Sequence, residues 1–131
     1  MGNRKKVAIG IIVVVVLIVL GPLQWYLEEK KETHMEKLIL IAQNFEIGEG
    51  VTLQQGVRAF FVSAEWNSFN YSKDQIWLLA TSKDGSRSSV IFHVNEKTGE
   101  VSIVEWDFNG KSLDSFEINF LIDGMIRAAR R

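Results

Sequence analysis

The stretch Gln75-Ile-Trp-Leu-Leu-Ala-Thr-Ser-Lys-Asp-Gly-Ser-Arg-Ser-Ser-Val-Ile-Phe-His-Val94 reads as two strands around a tight turn. From Gln75 to Thr81 the side chains alternate, with Ile76, Leu78 and Ala80 on one side and Trp77 and Leu79 on the other. Lys83-Asp-Gly-Ser86 supplies the turn, because Asp-Gly tolerates positive φ. Ser89 to Val94 is the returning strand, with Val90, Phe92 and Val94 on one side. Asn95-Glu-Lys-Thr-Gly99 is the next turn. Val101 to Phe108 is the third strand, with Val104, Trp106 and Phe108 expected on one face. Residues 66 to 71 are a candidate short edge strand, which makes the meander three- or four-stranded. Asn109-Gly110 is a further turn.

Helical patterns flank this meander. Met35, Leu38, Ile39, Ala42 and Phe45 recur at helical spacing, and Gly48 and Gly50 stop that run. Thr52-Leu-Gln-Gln55 is a capping box, in which each of Thr52 and Gln55 satisfies the other's amide. Leu53, Val57, Phe60, Phe61 and Ala64 follow on one face, so 53 to 64 reads as an amphipathic helix. At the other end, Asp114 or Ser115 caps a last helix whose stripe is Ile118, Leu121, Ile122, Met125 and Ala129. The expected class is α+β: two helices, an antiparallel meander and a C-terminal helix packed on the sheet.

Ahead of this domain lies VAIGIIVVVVLIVLGPLQWYL, residues 7 to 27. The unbroken apolar run from Val7 to Leu20 is short for a bilayer. Through Leu27 the uncharged span reaches roughly 31 Å as a helix, enough to cross. Trp25 and Tyr26 then fall at the membrane–water interface, and Arg4, Lys5 and Lys6 flank the other end. A cleaved signal needs small residues before its cut, but Val19-Leu20-Gly21 followed by Pro22 offers a bulky Leu20. An uncleaved anchor is therefore the expectation. The division is a basic tail at 1–6, an anchor at 7–27, a stalk and first helix at 28–50, and an α+β domain at 51–131. Lys30, Lys31 and Lys37 balance the three N-terminal cations, so the Lys and Arg tally alone does not orient the anchor. Residues 28–131 carry twelve Lys and Arg against sixteen Asp and Glu, a net charge of −4. An acidic domain fits poorly beside an anionic inner leaflet, so the domain is expected outside the cytoplasm.

Composition narrows the chemistry. The sequence has no Cys, which removes disulfides, thiol catalysis and thiolate metal sites. A net negative domain argues against nucleic acid as partner. Arg127, Arg130 and Arg131 form one basic cluster, which suits the end of a helix dipole. Apart from charged stalk residues near His34, neither His34 nor His93 has a companion at metal-ligand spacing, so neither a metal nor a cofactor is expected. Glu105 and Asp107 share one side of a strand and could do acid–base chemistry if one carboxyl were held protonated; a solvated strand face is the simpler reading. The serines at 82, 86, 88 and 89 cluster around the Asp84-Gly85 turn, where small polar residues belong.

Phe60-Phe61-Val-Ser-Ala-Glu-Trp66-Asn-Ser-Phe69 follows the capped helix. This FF-x4-W-x2-F pattern, with a meander and a closing Leu-rich helix after it, resembles a group of small bacterial membrane-attached or secreted domains. The likeness spans about residues 51 to 127, and Ile76-Trp-Leu-Leu-Ala80 departs from the Val-rich first strand of that pattern. The resemblance implies a Gram-positive-like bacterial source and an extracytoplasmic domain. It implies no catalytic residue.

The aromatics Trp66, Phe69 and Tyr71 lie in a segment without clear periodicity, between helix and sheet. They are the candidate partner-binding patch, while the other aromatics sit at core spacing. The expected function is a non-catalytic, membrane-anchored module that binds a protein or envelope component. The alternatives are a structural subunit of a membrane complex and a hydrolase using Glu105 and Asp107.

Overall fold

The computed structural model describes residues 33–131. The basic tail, the expected membrane span with Trp25 and Tyr26, and the start of the expected stalk lie outside the described residues. Among the described residues no helix is long and apolar enough to cross a membrane.

Helix α1 covers 33–43 and buries Met35, Leu38 and Ala42. A two-stranded ribbon follows, β1 (Glu46–Gly48) with β2 (Val51–Thr52). Its turn residues Glu49 and Gly50 both have positive φ, 53° and 78°. That is the hand a two-residue hairpin needs, and Gly50 supplies it without strain. Helix α2 (Leu53–Phe60) opens on the capping box: Gln55 N donates to Thr52 Oγ1 at 3.1 Å and Thr52 N to Gln55 Oε1 at 2.9 Å. Phe61 then turns extended, with φ −108° and ψ 151°, so the helix stops four residues before the expected Ala64.

The main sheet has five antiparallel strands in sequence order. They are β3 (Ser63–Asn70), β4 (Gln75–Thr81), β5 (Arg87–Val94), β6 (Val101–Phe108) and β7 (Lys111–Ser112). A single 3-10 turn, Tyr71–Lys73, joins β3 to β4. The β4–β5 hairpin closes at Ser82, Asp84, Gly85 and Ser86, with Gly85 at φ 89°. Ser86 N donates to Asp84 Oδ1 at 3.0 Å, and this backbone bond holds the Asp84 carboxyl below the usual carboxylate range. The support it lends the turn is present above the unfolded pKa and fades as pH falls through the lowered one.

Strand β6 carries an irregularity. Ile91 faces Glu105, but Phe92 faces Ile103, so Val104 is an extra residue. Val90 still faces Trp106. Val101, Ile103 and Trp106 therefore share the inner face, and Val104 is 51% exposed rather than in phase with Trp106. This β-bulge corrects the simple alternation expected for the strand.

The inner face of the sheet gathers Ile76, Leu78, Ala80, Val90, Phe92 and Val94, all buried. Residues of α1, α2 and α3 (Ser115–Ala129) complete the same core. Helix α3 begins with a second capping box: Glu117 N donates to Asp114 Oδ1 at 2.8 Å and Asp114 N to Glu117 Oε1 at 3.0 Å. Near its end Arg130 pairs with Glu49 of the ribbon turn, so one of the three C-terminal arginines is a tether.

Helices α2 and α3 meet through small residues. A Cβ at Gly56 would lie 3.0 Å from Ile47 Cδ1 and 3.1 Å from Met125 Cβ. The absence of a side chain sets how closely the helices approach. Gly56→Val is expected to lower stability by about 1–3 kcal/mol through overpacking, despite the better helix propensity. Thermal unfolding of the full chain followed by circular dichroism measures the shift.

Candidate binding surfaces

The three aromatics singled out from sequence belong to β3 and the turn after it. Pairing with β4 sets their directions. Trp66 faces Leu78, so it points inward, and its ring stacks on Phe92 with centroids 6.1 Å apart. Phe69 is the extra residue where the β3–β4 register shifts between Ser68 and Asn70. It turns to the outer face and meets Trp77 edge-on at 6.2 Å. Tyr71 sits in the 3-10 turn, half exposed. The structure thus brings Phe69 and Tyr71 to the surface at one end of β3 and turns Trp66, half-buried, toward the inner side.

Phe69 extends an outer face that also carries Trp77, Leu79 and Ile91, each half-buried. Trp77 Nε1 donates to Ser89 Oγ at 2.7 Å, which satisfies the indole and fixes its ring. Glu105 and Asp107 lie on this outer face, opposite Ile91 and Ser89. Glu105 is exposed, and the large cavity described below lies on the other side of the sheet. His93 Nδ1 is 3.0 Å from the Lys73 carbonyl, a contact that ties β5 to the 3-10 turn. Among the described residues no group of three His, Asp or Glu side chains could hold a metal.

Sequence reasoning missed two concave features. One is a groove of about 240 Å³ between α2 and the start of β3, lined by Val57, Arg58, Phe61, Val62, Ala64 and Trp66. It runs beside β3, the edge strand of the sheet. The other is an apolar cavity of about 370 Å³ between the inner face of the sheet and α3. Phe61, Phe92, Ile103, Trp106, Ile118 and Ile122 form much of its wall, and Glu46 and Asn119 are its exposed residues. Phe61 borders both spaces. Trp106 is 3% exposed, and its indole Nε1 has no hydrogen-bond partner. A buried donor left unsatisfied costs about 1–3 kcal/mol. The signal for the bulge, though not for the cavity, is present in the sequence as two apolar phases in one strand, Val101 and Ile103 against Val104 and Trp106.

The division of the aromatics is testable. Trp66→Ala is expected to cost about 2–4 kcal/mol, because it removes a ring packed on Phe92. Phe69→Ala, at a site 51% exposed, is expected to cost less than about 1 kcal/mol. Paired thermal melts of the two variants check both values.

The chain matches no protein-family model, no curated protein and no solved structure, so the likeness carried by the FF-x4-W-x2-F residues stands on those residues alone.

Proposed function

We propose that this chain is a single-pass, membrane-anchored interaction module, non-catalytic and displayed outside the cytoplasm, that takes an extended segment of a protein partner along β3. The membrane and orientation parts rest on sequence: the uncharged span from Val7 to Leu27 and the net charge of −4 over residues 28–131.

The binding part rests on one observation. Strand β3 is eight residues long and lies at the edge of the sheet. Along an antiparallel edge, alternate residues turn their N–H and C=O groups away from the neighbouring strand. Such an edge is a template for one more strand. The groove beside it offers a place for a partner side chain, with Val57, Phe61 and Trp66 as its apolar part. Val62, at the entry to β3, is 60% exposed. Phe69 and Tyr71 add exposed aromatic surface at the far end of the same strand. An anchor would confine this edge to a layer near the membrane and raise its effective concentration toward other membrane proteins.

The chain lacks Cys, so Lys83→Cys in the exposed β4–β5 turn creates a single labelling site. A membrane-impermeant maleimide is expected to label intact cells. Labelling only after lysis contradicts the orientation. A photocrosslinking residue at Val62 is expected to give protein adducts in those cells, and one at Val104, on the outer face, is not. Equal adducts at both positions contradict docking at the β3 edge.

A further inference from the structure

One stripe of α2 forms a wall of the groove beside β3. Gln54, Val57, Arg58 and Phe61 follow one another at helical spacing and share that face. Val57 and Phe61 are buried, whereas Arg58 is exposed. The other wall is β3, where Ala64 and Trp66 face inward, opposite Ala80 and Leu78. A strand added beside β3 continues its pleat. Every second side chain of that strand then falls on the same face as Ala64 and Trp66, over the groove.

Given docking of an extended segment at the β3 edge, on which this reading rests, we infer that the segment alternates in charge as well as in direction. Of the side chains that enter the groove, one is apolar and a neighbouring one is acidic. A side chain of the opposite phase is basic.

Arg58 selects the acidic group. It is the only charged side chain that lines the groove, and it makes no ion pair among the described residues. Its planar fork can hold a carboxylate by two parallel hydrogen bonds. Gln54, one turn earlier on the same stripe, adds an amide donor to that wall. A cation in the last turn of α2 also suits the helix dipole, but at Ala59, outside the groove, it would serve the dipole equally. A basic side chain entering the groove would meet Arg58 with like charge. The apolar neighbour finds Val57, Phe61 and Trp66.

Glu65 selects the basic group. It pairs with Leu79 on the outer face of β3, is exposed, and makes no ion pair among the described residues. An added strand sets one outward side chain directly beside it. Opposite charges attract at such cross-strand positions, and like charges repel. The net charge of −4 over residues 28–131 would also repel a purely acidic segment at longer range. A basic residue in the outward phase offsets both effects.

The test begins with the 131-residue chain selecting short peptides from a random phage-displayed library. A photoreactive residue at Val62 then identifies the peptides that dock at β3. These are expected to carry an acidic residue two positions from an apolar one, and a basic residue in the other phase. Fluorescence anisotropy compares one such peptide with an analogue whose acidic residue is Lys. The acidic peptide is expected to bind roughly three- to tenfold more tightly, the worth of one partly desolvated charge-assisted hydrogen bond. Arg58→Gln is expected to erase that preference and Arg58→Glu to reverse it. Glu65→Lys is expected to reverse the preference for the basic residue and leave the acidic preference in place. Both positions are exposed, so the circular dichroism spectrum is expected to stay unchanged. Val62 adducts from peptides with no acidic preference, or an acidic preference that survives Arg58→Glu, overturn the inference and leave docking at the β3 edge standing. A basic preference that survives Glu65→Lys overturns the outward assignment. Selected peptides that give no Val62 adduct overturn both the inference and the docking on which it rests.

Discussion

The packing of this domain depends on one extra residue in β6. With strict alternation from Val101 and Ile103, the next inward side chains would be Glu105 and Asp107. Two carboxylates would then lie beneath the helices, where burial of unpaired charge is prohibitive. The bulge at Val104 shifts the phase. It sends Glu105 and Asp107 to the outer face and brings Trp106 against Val90 on the inner one. The inner face becomes apolar across β4, β5 and β6 apart from the buried Ser88, and three helices can cover it.

How the helices cover it follows from residues without side chains. Gly56 lets α2 approach Ile47 and Met125, and Gly124 lets α3 approach Phe60. Each helix starts on its own capping box, and the Arg130–Glu49 pair ties the end of α3 to the ribbon turn. The exposed ion pair adds little by itself; its use is to register the end of α3 against the ribbon turn. The cavity lined by Trp106, Ile118 and Ile122 lies between the inner face of the sheet and α3. The bulge and the cavity are thus one arrangement. The same extra residue that keeps two charges out of the core puts Trp106 in the cavity wall.

Much of the fold was legible because local chemistry dictated it. The Thr52–Gln55 box, the Asp84-Gly85 hairpin and the Asp114 cap each carry a hydrogen-bond logic visible in a few residues. The α+β class and the closing helix followed from periodicity. What escaped detection depended on pairing between distant segments. The helical spacing of Phe60, Phe61 and Ala64 predicts α2 through Ala64; β4 instead captures the chain, and Val62 N donates to the Thr81 carbonyl at 2.8 Å. For the same reason β3 begins at Ser63 rather than near Trp66. In the sequence the small β1–β2 ribbon shows only as a helix stop. In the candidate patch, alternation puts Trp66 and Phe69, three residues apart, on opposite faces once both lie in one strand, and it is the strand itself, set by pairing with β4, that the local pattern does not show. The cavity requires the bulge, the glycine crossing and the α3 stripe together, so no single motif announced it.

The phase of β6 is measurable directly. Hydroxyl-radical footprinting of the 131-residue chain, read residue by residue through 101–108, reports which side chains meet solvent. The account predicts strong modification at Val104 and protection at both Ile103 and Trp106. If Val104 and Trp106 are modified to the same extent, the strand alternates without a bulge, and both the packing of the sheet and the cavity built on it are contradicted.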